Sequence, residues 1–213
     1  MMNCDGIARW YRLLESLAFG GALQRRRREY INEVAGASRV LVLGDGDGRF
    51  TAEFLRRSAA AQVDSVDLSS SMLALAGRRV RACPSSRMRV RFHHGDARTI
   101  KLAGTYDLIV SHFFLDCFTP DEMPALTARI AQAACPQARW LISEFGLPNA
   151  GMGRRVAAFL IRVMYWFFRV STGLQARRLP DYGASLAGQG FRRVRRKSVW
   201  GGFLVSELWE RSL

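Results

Sequence analysis

Lysine is almost missing from this chain of 213 residues: Lys101 and Lys197 are the only two. The formal net charge of +14 is therefore carried by arginine. That balance favours acidic partners such as nucleic acid, an anionic membrane surface or a negatively charged substrate. Yet the arginines are scattered from position 9 to position 211, and no Arg/Lys stretch is longer than the one at 25–28, so a solvated arginine-rich surface accounts for the charge equally well. Cysteine and histidine are sparse too. Cys4, Cys83, Cys117 and Cys135 form no CxxC pair, and His93, His94 and His112 form no HExxH pattern, so no metal site and no structural zinc are expected. A reduced, cytoplasmic chain is the simplest inference. The opening MMNCDGIARWYRLLE lacks the basic start, apolar core and small-residue cleavage site of a secretory leader. The longest apolar run, VAAFLIRVMYWFFRVS, is broken by Arg162 and Arg169 and is no ordinary membrane span.

What is present fits one hydrophobic core: 24.0 kDa with 49% apolar residues. Apolar residues recur at helical spacing over 7–23, and Gly20 and Gly21 interrupt before a second helical stretch opens at the basic run. After Gly36 the period changes. RVLVLG is a continuous aliphatic run, which suits a parallel strand buried on both faces. From there strands over 39–43, 62–67, 88–93, 106–111 and 139–144 alternate with helices over 49–61, 70–81 and 120–134, Ser69 or Ser70 capping the second of these. Such alternation implies an α/β, doubly wound, mostly parallel sheet. A long helix over 153–170 follows, then a loop and short helix ending near Gly190. The runs FRRVRRKSVW and GGFLVSELWER flank Gly201 and Gly202 at hairpin spacing and complete seven strands with a C-terminal antiparallel hairpin. With five cations, the first run should be the edge strand, the second lying inside it.

The chemistry begins at VLVLGDGDGRF. A dinucleotide fingerprint, GxGxxG, would need glycine where Arg49 stands, and a P-loop would need a GK[ST] that does not follow. Charge gives a second argument. Two unit charges about 4 Å apart at an effective dielectric of about 20 interact by roughly 4 kcal/mol, so Asp45 and Asp47 would oppose a pyrophosphate and favour a cation. A calcium loop is disfavoured because its third and twelfth ligand positions would be Arg49 and Arg56. Solvent-facing aspartates in a tight turn remain an alternative. Asp67 lies 19 residues after Gly48, where a carboxylate meets a ribose diol across a strand-helix-strand unit, unless it caps the next helix. In HHGDA, Asp96 ends the third strand and can accept from an adenine amino group beside the Ala97 N–H, unless it is a turn aspartate. All three acidic sites fall at carboxyl ends of neighbouring strands, where open α/β sheets bind ligands.

Together VLVLGDGDG, SVDLSSSML, HHGDA, YDLIVSHFFLD and WLISEF resemble the motif series of class I S-adenosylmethionine-dependent methyltransferases, with a Rossmann-like fold. The segments SHFFLD, MYWFFRVSTGL and LPDY are most similar to the ubiquinone/menaquinone-biosynthesis group. The resemblance implies S-adenosylmethionine as cofactor, with Gly44, Gly46 and Gly48 lining its methionine moiety. Asp67 would hold the ribose, Leu68 and Met72 the adenine or ribose face, Asp96 and Ala97 the adenine, and Ser111 would form the floor beneath the sulfonium. Where the family often has an acid two residues before the first glycine, this chain has Val42, so Asp45 or Asp47 would substitute in anchoring the ammonium group. The expected organisation is one methyltransferase domain: N-terminal helices at 1–37, a cofactor-binding core at 38–150, a helical lid or substrate insertion at 151–190 and the hairpin at 191–213.

Methyl transfer asks the protein for proximity and removal of a substrate proton. His112 is the candidate base, with Asp116 to orient it or bind substrate; packing beside Phe113 and Phe114 is the competing role. On the 153–170 helix Arg155, Arg162 and Arg169 form one stripe and aromatic or aliphatic residues fill most of the rest. Such a helix is either a lid buried against the core, which is expected here, or a peripheral contact with a membrane. Either way the expected acceptor is a small molecule of apolar or aromatic character. Nucleic acid is disfavoured because no NPPY-like motif follows the fourth strand. An RNA methyltransferase, an aminopropyltransferase and a non-catalytic cofactor-binding protein are the alternatives.

Overall fold

The computed structural model describes residues 21–58, 60–83, 89–102, 104–148 and 150–212. The first expected helix, over 7–23, lies almost wholly outside these residues. The described chain opens with α1 (Ala22–Arg27), which straddles the expected start of the second stretch and gives way to turns. Then follow β1 (Arg39–Leu43), α2 (Arg49–Arg57), β2 (Gln62–Asp67), α3 (Ser70–Arg81), β3 (Val90–His94) and β4 (Tyr106–His112). After a 3₁₀ turn (Leu115–Cys117) come α4 (Met123–Gln132), β5 (Ala134–Phe145), α5 (Gly151–Thr172), α6 (Tyr182–Ala187), β6 (Phe191–Val199) and β7 (Leu204–Arg211).

These strands form one sheet in the order β3-β2-β1-β4-β5-β7-β6. β1 to β5 are mutually parallel, and β7 runs antiparallel between β5 and β6. β1 is central, and its aliphatic run VLVL is wholly buried because both of its faces are covered. Val40 and Val42 join Phe50, Phe54, Leu108 and Leu141 on the face covered by α2, whereas Leu41 and Leu43 join Ile109, Trp140 and Ile142 on the face of α4. β6 is the charged edge, as expected, and two of its cations, Arg193 and Arg196, fold over it onto the buried Glu207 of β7.

Several boundaries differ from the periodicity, and at two helices the reason is tertiary. α2 stops at Arg57 because Arg89, from the start of the third strand, donates to the carbonyls of Leu55 and Ser58 and closes the helix end. The expected 120–134 helix is shorter. Glu122 accepts from both the N–H and the hydroxyl of Thr119, closing a turn ahead of Met123, and Ala134 already pairs with Tyr106 as the first residue of β5. The chain moves outward from β1 to β3 and returns to β4 beside β1, so the sheet's topological switch point lies between β1 and β4.

Candidate active site

At that switch point the chain leaves β1 through Gly44, Gly46 and Gly48, with φ of 64°, 60° and 77°. All three lie in the left-handed region, where glycine alone is free of strain. Close approach adds a second constraint at two of them. A Cβ on Gly44 would lie 2.5 Å from the ring of Phe114, and one on Gly48 would lie 2.7 Å from the Cα of Ala76 in α3. Gly48 thus packs the loop on a helix, whereas Gly46 borders open space, the Sδ of Met72 being its nearest neighbour at 4.0 Å.

Neither loop aspartate is a turn residue facing water. Asp45 accepts from the backbone N–H groups of Phe50 (3.2 Å) and Thr51 (2.9 Å) and closes the amino end of α2. Burial nevertheless raises its pKa above the usual aspartate value. Asp47 takes Nε of Arg49 at 3.1 Å and a terminal guanidinium nitrogen of Arg79 at 2.8 Å, while Arg79 Nε donates to the Asp47 carbonyl. This changes the reason for excluding phosphate. Asp47 is neutralised by two guanidinium groups, so repulsion from two bare carboxylates overstates the case. The amino end of α2, where a dinucleotide fold would place its pyrophosphate, is instead filled by the protein's own Asp45 carboxylate.

Asp67 ends β2 with its carboxylate between two backbone donors, Gly46 N–H at 3.2 Å and Ser69 N–H at 2.9 Å. It does not cap α3, because the hydroxyl of Ser69 accepts from Met72 N–H. Desolvation raises the Asp67 pKa to about 6. Leu68 is fixed by its carbonyl, which His94 Nε2 meets at 3.0 Å. One strand over, Asp96 is gripped by Arg98 at 2.6 Å, and the same guanidinium also reaches Glu122 at 2.6 Å. That grip holds the Asp96 carboxyl below its ordinary value. Ala97 is buried beside it.

β4 ends in a strained turn. Ser111 is fully buried and accepts from Trp140 Nε1 at 2.9 Å. His112 points the opposite way, edge-on to Phe50 at 4.8 Å between ring centroids, with neither ring nitrogen bonded to a described residue. Burial and the nearby Arg27 hold its pKa well below the ordinary histidine value, so it is neutral at pH 7. Phe113 then adopts φ 53°, a left-handed conformation rare for an aromatic residue. Asp116 does not orient His112. It lies on the 3₁₀ turn, and its charge acts on Glu144 of β5, which points with Trp140 and Ile142 to the other face of the sheet. Glu144 Oε1 accepts from the N–H groups of Phe114 (3.0 Å) and Leu115 (2.8 Å), while Oε2 is buried without a partner among the described residues. Burial raises the Asp116 pKa to about 6, and burial together with Asp116 pushes Glu144 well above its ordinary value. Tyr165 of α5 donates to the Asp116 carbonyl at 3.0 Å.

Comparison with known proteins agrees with this geometry. A family model described as a methyltransferase domain matches residues 40–137. Over 209 residues the chain is 24% identical to the ubiquinone/menaquinone biosynthesis C-methyltransferase UbiE of Dinoroseobacter shibae, covering 91% of this chain and 82% of that protein. The chain is an S-adenosylmethionine-dependent methyltransferase, similar to the class I enzymes. The malonyl-[acyl-carrier protein] O-methyltransferase of Halalkalibacterium halodurans is 32% identical over 128 residues, 58% of this chain and 44% of that one. Among solved structures, magnesium protoporphyrin IX methyltransferase from Synechocystis PCC 6803, with bound S-adenosylhomocysteine, has the same fold. Its TM-score is 0.72 at 19% identity, with 97% of this chain and 94% of that one covered. The methyltransferase spans only 55 to 59% of three further methyltransferase structures that it matches.

S-adenosylmethionine is the cofactor, and the donor set fits it. The one helix end at the glycine loop is closed to phosphate by Asp45, while Asp67 presents a carboxylate of the kind that accepts from a ribose diol. Among the described residues no group of histidine, cysteine and acidic side chains could hold a metal ion. Motif reasoning missed Glu144, although it stands in WLISEF at the end of a strand and the logic that selected Asp67 and Asp96 applies to it equally. It also missed Arg79 and Arg98, whose partners are 32 and 2 residues away; no spacing rule points to either.

Proposed function

We propose that this methyltransferase methylates a small-molecule acceptor with a large apolar or aromatic body, seated at the carboxyl ends of β4 and β5. The observation that carries this reading is a buried carboxylate pair at the carboxyl end of the sheet, reached by Tyr165 of α5, the helix on which an aromatic cluster packs. Tyr165 donates to the Asp116 carbonyl and feels the charges of Asp116 and Glu144, and against the same helix Phe113 packs on Phe145 at 5.1 Å and Phe145 on Phe203 at 5.6 Å between centroids. Such a wall favours an apolar ligand, and a few polar groups within it fix orientation. Two similar proteins, one named for ubiquinone/menaquinone biosynthesis and one a magnesium protoporphyrin IX methyltransferase, support an acceptor of that character. An acceptor of this kind partitions into lipid.

When bound, the cofactor supplies a methyl carbon activated by its sulfonium. The chain's own residues position it and handle the proton. Gly44 and Gly46 line the methionine end, with Ser111 beneath, and Asp45 rather than Asp47 faces the ammonium group, since Asp47 is engaged by Arg79. Asp67 accepts from the ribose, and Leu68, Met72, Asp96 and Ala97 frame the adenine. Gly48 supports the loop through Ala76. On the acceptor side burial and the neighbouring Asp116 disfavour ionisation of Glu144, and Asp116, with a pKa of about 6, takes the acceptor's proton. Neutral His112 offers a hydrogen bond from the opposite face of the sheet.

The test is release of S-adenosylhomocysteine with a panel of phenols, quinols and porphyrins against polar controls of similar size. Turnover should be confined to the apolar acceptors, and Asp116→Asn should lower it by about a hundredfold or more while leaving cofactor affinity unchanged. Equal turnover of the polar controls, or full activity in Asp116→Asn, would overturn the reading.

A further inference from the structure

α5 is not a buried lid. Its inner face, Ala157, Ile161 and Tyr165, packs on the core with Leu174, Ala176 and Phe203. The opposite face is apolar and open to solvent: Met152, Val156, Phe159, Leu160, Val163, Trp166 and Val170 are all exposed, Phe159 and Trp166 at 64% and the two end residues at 73%. At 3.6 residues per turn these positions fall within a sector of about 120°, directly opposite the buried residues, and run for about 27 Å along the helix. One edge of the sector carries Arg155, Arg162 and Arg169, all exposed. The helix contains no acidic residue. At its carboxyl end a groove of about 550 Å³ is lined by Trp166, Arg169, Gly173, Leu174 and Arg177, so two guanidinium groups flank an indole.

We infer that this outer face of α5 seats the protein on an anionic lipid surface, its apolar stripe in the acyl boundary and its arginines among the head groups. Charge complementarity selects lipid over a second protein. Elsewhere on the molecule many arginines are answered by carboxylates, as in Arg57 with Glu53, Arg91 with Asp64 and Arg193 with Glu207, or by backbone carbonyls, as in Arg129 and Arg211. Arg155, Arg162, Arg169, Arg177 and Arg178 have no ion pair among the described residues. A row of unanswered guanidinium groups along an exposed apolar stripe is the pattern of a helix that lies in the plane of a membrane interface. No helix among the described residues is long and apolar enough to cross a membrane, which leaves α5 lying on the surface. Long arginine stems let the charged ends reach head groups while the stripe stays buried. The inference extends the reading of an apolar acceptor, but its evidence is this face alone, so the two fail separately: one is read by vesicle binding, the other by turnover.

The full-length chain is mixed with vesicles of phosphatidylcholine alone or with about a third phosphatidylglycerol, and the bound fraction is measured by flotation. Binding to the anionic vesicles should be strong at low salt, fall as salt rises and be weak on the neutral ones. Phe159→Glu with Trp166→Glu alters only exposed positions and should abolish it. Arg162→Gln with Arg169→Gln should weaken it by about fivefold per arginine. No binding to anionic vesicles by a chain whose circular dichroism shows it folded would overturn the inference. Sedimentation would then identify the true occupant. A dimer split by Phe159→Glu with Trp166→Glu means that a second copy covers the face.

Discussion

Lowering the pH should weaken cofactor binding through one residue, Asp67. Its carboxylate stands between the N–H groups of Gly46 and Ser69, and desolvation raises its pKa from 3.8 to about 6. If only the ionised form accepts from the ribose diol, apparent affinity scales with the ionised fraction, which is about nine-tenths at pH 7, half at pH 6 and a tenth at pH 5. The dissociation constant for S-adenosylhomocysteine should therefore rise about twofold from pH 7 to pH 6 and about tenfold from pH 7 to pH 5. Calorimetric titration reads this directly. Near pH 6 it should also show about half a proton released per molecule bound, seen as a heat that depends on the buffer's ionisation enthalpy. Folding does not confound the result through this group. Because its folded pKa is raised, the stability it contributes is fully present below about pH 4 and is lost as the pH rises through about 6, so acidification from pH 7 favours the folded state at this position. Asp67→Asn should bind weakly with no pH dependence. A wild-type constant that is flat from pH 7 to pH 5, or a pH dependence retained in Asp67→Asn, would refute the reasoning.

Gly48→Ala tests why the third glycine stands where it does. With φ at 77° and a new Cβ 2.7 Å from the Cα of Ala76, it should cost about 2 to 4 kcal/mol in denaturant unfolding, whereas Gly36→Ala, with nothing within 4 Å, should cost less than about 1 kcal/mol. For His112, replacement by alanine should lower turnover at least about tenfold while titration shows cofactor affinity intact. Unchanged turnover would reduce this side chain to its packing on Phe50.

The order of elements and the cofactor acids could be read in advance because local pattern determines them. The VLVL run is buried on both faces wherever it lies in a parallel sheet, and the acids at 67 and 96 follow strands whose ends the periodicity marks. The exposure of α5 could not be read, since a helix with one buried and one exposed apolar face has the same periodicity as a helix buried all round. Only the core residues Leu174, Ala176 and Phe203 show which side is covered.

By itself, then, the sequence determined a parallel α/β sheet with an inserted antiparallel strand, a glycine loop without dinucleotide spacing, and a chain of acids along strand ends. Tertiary structure decided what each charge does. It turned Asp45 onto the amino end of α2 and gave Asp47 to Arg79, 32 residues away. It separated His112 from Asp116 by sending them to opposite faces of the sheet, and it joined Asp116 with Glu144 near Tyr165. The physical reason is the same in each case. Periodicity reports which face of its own element a residue occupies, whereas charge and proton affinity depend on partners that only folding brings within hydrogen-bond range.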